Sequence, residues 1–393
     1  MARLTLRLRW DKHCLFNYLK PISGCCRVKM VSKMSESRLF NKVYGCMLGG
    51  AIGDALGGPV EHMTPEEIRE SYGGNLDRYV PYRRPPAHHA HFASGDAIGN
   101  YTDDTRLKHL HCQAIFRAGG KPRPGDLAMV LAEAYHNAPD PLHEGFIEEY
   151  YMKALWQEDK VAFGGEPTNG SLMANSPLGL ITACQPDEAY QLGFDMAFLT
   201  AGYAKNSSAI LVAAIAEAMR PTASVDGIIE AARHAHIRFA RRREGDHWHN
   251  TEWRYDPNLQ FLDRALEVAR DKRDVFAIRE PLMEILEWGH LFSEAIHTLV
   301  VALSMFVAAE GGAKQSIMGA IMYGRDKDSY ASVAGALAGA YQGVDGIPKE
   351  WIQPVIDGNL DVDMYMYSQK LTQLIEQDYQ IARQNVDDLG ALL

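Results

Sequence analysis

Apolar residues recur at three- and four-residue spacing along most of the chain from residue 39 onward. The pattern is clearest over residues 126–136, 207–219, 225–242, 258–269 and 365–384, and it is the period of one face of an α-helix. Alternating, β-branched runs between Gly and Pro breaks are few, so an all-α architecture is predicted. The two most apolar stretches, 208–219 and 298–309, fall short of the roughly 20 residues that a bilayer requires. They carry small residues at helical spacing and predict buried helices, with no membrane span. Three stretches rich in Gly, Pro, Asn or His, at 72–101, 163–177 and 244–258, predict long loops. Loops of that length in a compact domain often carry function.

Composition changes the picture at one end only. With 47% hydrophobic and 23% charged residues over 393 positions, the chain reads as a soluble globular protein with a large core, and its length alone admits two or three domains. The net charge of -10 argues against a general nucleic-acid or anionic-membrane binder, which needs clustered Lys and Arg. Six cysteines (Cys14, Cys25, Cys26, Cys46, Cys112 and Cys184) show neither zinc spacing nor the density of a disulfide scaffold, so a reducing cytosol is the expected location. Residues 1–38 differ from the rest: Arg3, Arg7, Arg9, Lys12, Lys20, Arg27, Lys29, Lys33 and Arg38 face only Asp11 and Glu36. This is either a targeting segment or basic arm, or an overlong start ahead of Met30 or Met34. There is no internal repeat, no phosphate-binding Gly-Lys loop and no Ser-centred nucleophile elbow.

The candidate chemistry lies in two acidic clusters, Tyr101-Thr102-Asp103-Asp104-Thr105 and Gly324-Arg325-Asp326-Lys327-Asp328-Ser329. Each offers carboxylates and a hydroxyl within a few residues, the hard oxygen ligands of a pair of magnesium-like ions if the clusters meet in space. Taken alone, the first is also an N-cap with an acidic first turn ahead of the run 107–116. A third segment, 45–61, places Gly49, Gly50, Gly53 and Gly57 where a helix can pack closely on a neighbour. It also puts Asp54 and Glu61 near one face, either as site carboxylates or as caps and surface charges. His88, His89 and His91, and the pair His247 and His249 around Trp248, suggest a transition-metal alternative. They have no Cys or Glu partner at ligand spacing, and Trp248 is equally suited to stacking on a base or sugar.

Four motifs in order carry a family resemblance: Gly-Asp-Ala-Leu-Gly-x-Pro-x-Glu at 53–61, Thr-Asp-Asp-Thr at 102–105, Asn-Gly-x-x-Met followed by Pro-Leu-Gly at 169–179, and Asp-x-Asp-Ser with a small-residue run at 326–340. Over about 39–351 the chain resembles the ADP-ribosylglycohydrolase family. The resemblance implies a single all-α domain at 39–393, an orthogonal helical bundle with a binuclear metal cleft. Two divalent cations, Mg2+ or Mn2+, would be held by Thr102, Asp103, Asp104, Asp326, Asp328 and Ser329, with Glu61 close by. The reaction implied is hydrolysis of a glycosidic bond at ribose C1, where oxocarbenium character develops and the ions orient the ribose diol and water. Glu61 would supply acid–base help, with Asp103 or Asp104 polarising the same water or a ribose hydroxyl. The substrate contacts implied are Asp54, Tyr101, Asn169, Gly170, Ser171, Leu172, Met173 and Asn206, the stretch 164–173 being a glycine-rich loop suited to a diphosphate. Tyr101 reads equally as a core aromatic.

The chain departs from the family pattern at two positions. Ala174 stands where an Arg commonly follows the Met, and Asn206 stands where a His precedes the Ser207-Ser208 pair. An ADP-ribosyl conjugate, free or protein-attached, such as ADP-ribosylated arginine, is the first expectation for the substrate. A different nucleoside or nucleotide N-riboside is the second, and a silent ADP-ribose-binding or structural relative the third. No nucleic-acid or membrane partner is expected, and the sequence gives no oligomeric state.

Overall fold

The computed structural model describes residues 37–82, 98–137, 166–243, 256–287 and 292–393. The basic stretch up to residue 36 and the histidine groups around His89 and Trp248 lie outside the described residues. The described chain forms sixteen α-helices. They are α1 (Arg38–Gly57), α2 (Pro65–Tyr72), α3 (Asp103–Ala118), α4 (Pro124–Asn137), α5 (Gly170–Ala174), α6 (Ser176–Ile181), α7 (Pro186–Met196) and α8 (Ala204–Ala218). There follow α9 (Val225–Arg243), α10 (Asn258–Lys272), α11 (Arg279–Ile285), α12 (Ala295–Ala308), α13 (Ala313–Tyr323), α14 (Lys327–Gln342), α15 (Lys349–Gly358) and α16 (Met364–Gly390). One isolated antiparallel bridge, Thr168 to Glu294, is the only extended pairing among the described residues. The five periodic segments appear as α4, α8, α9, α10 and α16, with ends that differ from the predicted ones by up to six residues, and no described helix is long and apolar enough to cross a membrane.

Four helices, α1, α8, α12 and α14, are apolar on nearly every side and form the centre. All fourteen residues of α12 are buried, as are 18 of the 20 in α1, which is the behaviour of a helix with no polar face. Among the side chains of α12, Leu299, Val300, Leu303 and Phe306 are fully covered, each worth roughly 1.5–3 kcal/mol of apolar burial. The surface helices are set by local signals. Thr64 caps α2 in a reciprocal capping box with Glu67, Pro65 occupies its first turn and Gly73 ends it in the left-handed region, as the sequence grammar of helix ends dictates.

The contact that positions everything else is α1 against α14. A Cβ on Gly53 would collide with the Ala331 carbonyl, one on Gly49 with the Gly335 carbonyl, and one on Gly339 with the Gly45 carbonyl. The two backbones therefore touch directly along a stripe of glycines spaced by four. The predicted loop at 163–177 is corrected in part: from Gly170 the chain is helical in α5 and α6. Leu172, Met173, Ala174 and Leu178 are buried there, and burial of good helix formers overrides a glycine- and proline-rich composition.

Candidate metal centre

At its C-terminal end α1 runs so close to α14 that a Cβ on Gly57 would strike the backbone of Lys327 and Asp328. The chain then tightens into a 3-10 turn, Gly58–Val60, in which Pro59 sits at the second position, and Glu61 emerges directly after it. On the facing side Asp326 occupies the N-cap position of α14 and Asp328 lies in its first turn. The turn before them holds Gly324 at φ 105° and Arg325 at φ 57°; for Arg325 the left-handed conformation costs about 1–2 kcal/mol. Glu61, Asp326 and Asp328 are brought together, with ligand oxygens all within 4.8 Å of one another.

The first turn of α3 forms the second wall. The Ser329 hydroxyl donates to Asp104 Oδ2 at 3.2 Å, so the two acidic clusters, far apart in sequence, do meet. Thr102 stands at the N-cap position of α3 but makes no side-chain cap bond. Its amide and hydroxyl both donate to Asp54 Oδ1 at 2.8 Å. The Thr105 amide and hydroxyl donate to Asp54 Oδ2 at 2.9 and 2.5 Å. Four donors fill the four acceptor positions of the Asp54 carboxylate, which braces the turn carrying Asp103 and Asp104.

Other expected substrate contacts divide in the same way. Asn169 donates from Nδ2 to Asp326 Oδ2 at 2.7 Å and to Thr298 Oγ1 at 3.0 Å, so it orients a carboxylate of the cluster. Gly170, Ser171, Leu172 and Met173 are buried in α5. The Met173 sulfur lies 3.6 Å from the Ser329 hydroxyl, and its amide is taken by the Asn169 carbonyl, so that amide cannot cradle a phosphate. Tyr101 is 1% exposed, with its hydroxyl on His109 Nε2 at 3.0 Å and Arg106 over its ring. Asn206 is 1% exposed and belongs to a different network. It donates to Asp256 Oδ2 at 2.7 Å and accepts from the Tyr190 hydroxyl at 2.8 Å, while His236 stands 3.4 Å from the same Asp256 oxygen.

Charge explains what the cluster requires. Burial pushes the Glu61 carboxyl up to about 10, and the neighbouring charges of Asp328, Asp326 and Asp103 add to the effect. Burial also holds Asp104 and Asp326 well above the usual carboxylate range, with Asp328 the next cause in both. Two buried lysines oppose this. Lys108, on the turn of α3 after Asp104, donates to Ser332 Oγ, and Lys327 donates to the carbonyls of Glu61 and Met63. Burial lowers the pKa of both, Lys327 to about 8. The two lysines only partly offset the carboxylates gathered around them, and a bound cation would favour their ionised forms. Asp104 Oδ1 is buried with no hydrogen-bond partner, an atom that a cation would satisfy. The all-oxygen donor set fits a magnesium- or manganese-like ion.

Sequence reasoning missed both lysines and Tyr82. The Tyr82 hydroxyl donates to the Asn100 carbonyl at 3.3 Å, and its side chain comes within reach of a Cβ on Gly58, beside the Glu61 turn. A usable signal existed for Lys108, which falls in the apolar stripe of Leu107, His111 and Cys112 where a solvated lysine has no place.

Comparison with known proteins places this geometry. The sequence matches the ADP-ribosylglycohydrolase family over residues 35–385. The zebrafish ADP-ribosylhydrolase ARH3 is 23% identical over 342 residues, covering 80% of this chain and 86% of that protein. The ADP-ribosylarginine hydrolase Tri1 of Pseudomonas putida is 23% identical over 376 residues, 92% of this chain and 83% of that protein. A solved structure of an ADP-ribosylglycohydrolase-related protein complex shares the fold with a TM-score of 0.56 at 20% identity, covering 86% of this chain and 99% of that one. With the family match spanning nearly all of the described helices and the family's motifs converging on one acidic centre, the chain is an enzyme of the ADP-ribosylglycohydrolase family.

Proposed function

We propose that the chain is a metal-dependent hydrolase of the glycosidic bond at ribose C1 in an ADP-ribosyl conjugate, such as ADP-ribosylated arginine. The observation that carries this reading is the convergence of Glu61, Asp326 and Asp328 within 4.8 Å, joined to Asp104 through Ser329. In it, Thr102, Asp103, Asp104, Asp326, Asp328 and Ser329 hold two Mg2+ or Mn2+ ions. When bound, the ions supply Lewis-acid stabilisation and a template for the ribose diol. Glu61, partly open to solvent at 13% of its side chain, acts as acid–base on the attacking water. Asp54 and Asn169 keep the carboxylates aimed, and burial of the cluster keeps the surrounding dielectric low.

The relatives support the substrate class: one is named an ADP-ribosylhydrolase and another an ADP-ribosylarginine hydrolase. A second reading, a different N-riboside as substrate, draws on two observations. Asn206, in place of the His common at that position, is tied to Asp256 and Tyr190, and Ala174 is fully buried. Turnover of a panel of ADP-ribosyl-arginine, ADP-ribosyl-serine and simple nucleosides, followed by mass spectrometry, separates the two. Release of ADP-ribose with Mn2+, abolished by both Asp326→Ala and Asp103→Ala, is the expected outcome. Turnover that survives either substitution overturns the proposal.

A further inference from the structure

Lys327 lies between the two aspartates of the second cluster in sequence, and its ammonium reaches the turn that carries Glu61. It is 1% exposed, and its ammonium donates to the Glu61 carbonyl at 3.2 Å and the Met63 carbonyl at 2.5 Å. Burying an ammonium is expensive unless hydrogen bonds replace its water. An apolar side chain of the same length would fill this space without that cost, so the charge calls for a reason beyond packing. The partners supply one. Both carbonyls belong to the short segment that carries Glu61, and that segment is fixed at its other end by the close approach of Gly57 to the Lys327–Asp328 backbone. Between Val60 and Pro65 the segment is shaped locally by two turn bonds, Glu61 N–H to the Gly58 carbonyl at 3.3 Å and Met63 N–H to the Val60 carbonyl at 2.9 Å, and Lys327 ties that turn to α14.

We propose that Lys327 is a positioning residue: it ties the Glu61 segment to the start of α14, so that the Glu61 carboxylate stays within reach of Asp326 and Asp328. The residue that separates the two metal-ligand candidates in sequence thus also joins them to the third carboxylate in space. The inference rests on the metal-centre reading above, and two measurements keep the two claims separate. The first is a metal-free crystal structure of Lys327→Met. It is expected to show residues 58–63 displaced and Glu61 moved out of the 4.8 Å group; an unmoved Glu61 overturns the positioning role whatever the protein binds.

The second is calorimetric Mn2+ titration of the full chain as wild type, Lys327→Met, Glu61→Gln and the double variant. Lys327→Met is expected to raise the Mn2+ Kd about 10-fold, the loss of a held Glu61 carboxylate beside the ions outweighing the removal of the lysine's own repulsion of the cations. In the Glu61→Gln background the same change is expected to add less than about twofold, because the two residues act as one unit. Equal affinity of Lys327→Met and wild type, or losses that multiply independently in the double variant, overturns the proposal. A purely structural lysine would give that independent pattern. Should Lys327→Met lack the wild-type far-UV spectrum, Lys327→Gln, which keeps an N–H donor and removes the charge, takes its place with the same two outcomes. A wild type that binds no Mn2+ overturns the metal reading, while the crystal structure still decides the position of Glu61.

Discussion

Asp54 accepts from the amide and hydroxyl of Thr102 and of Thr105, so a single carboxylate fixes the turn that presents Asp103 and Asp104. Asp54→Asn keeps one oxygen but sets an NH2 group against two of those donors. It is expected to lower stability by about 2–4 kcal/mol in urea unfolding and to weaken Mn2+ binding; an unchanged midpoint would show that the brace is dispensable. Glu61 gives a pH prediction. A carboxyl whose pKa rises on folding favours the folded state while protonated, so its contribution is complete below the ordinary value of 4.5 and is lost as the pH climbs towards about 10. In EDTA, melting temperature is therefore expected to fall steadily between about pH 6 and about pH 9, and Glu61→Gln, which cannot ionise, to flatten the slope. Scanning calorimetry checks both, and a slope identical in the two proteins contradicts the buried position of Glu61. At this scale the sequence was only partly legible. The carboxylates were visible as ligand chemistry, whereas Lys327 was hidden because a charged residue is read as exposed until a fold shows where its neighbours lie.

Among the helices, the pair α1 and α14 carries the site. Gly53→Ala places a methyl group against the Ala331 carbonyl, which must push the helices apart at about 1–3 kcal/mol and separate Glu61 from Asp328. Gly125→Ala in α4, where an added Cβ meets nothing within 4 Å, is expected to be neutral or stabilising by up to about 1 kcal/mol. Thermal melts of the two variants test the difference directly, and a Gly53→Ala protein as stable as wild type would contradict the backbone contact. The four-residue glycine spacing in 45–57 announced this contact in the sequence, since small residues on one helical face permit no other use so readily. The direction of Glu61 was not legible, because Pro59 ends the α-helical period and the 3-10 turn re-aims the chain. The helices α5 and α6 were likewise hidden by their Gly and Pro content, and only the burial of Leu172, Met173 and Leu178 explains them.

Taken as a whole, the described molecule gathers buried carboxylates and two lysines where α1, α3 and α14 meet, and carries a second buried polar network around Asn206 and His236. The far end of α16 lies at the opposite extreme: residues 381–393 are exposed throughout. Their removal is expected to shift the melting temperature by less than about 3 °C and to leave Mn2+ binding unchanged; a loss of binding would mean that the tail supports the site. The all-α architecture followed from periodicity alone because the core helices are long and apolar, while the meeting of residues so distant in sequence needed the fold. The most direct test of the account is anomalous X-ray diffraction from crystals grown with Mn2+. Two anomalous peaks bounded by Glu61, Asp103, Asp104, Asp326, Asp328 and Ser329 are predicted; no peak there, or manganese bound only elsewhere, would contradict it.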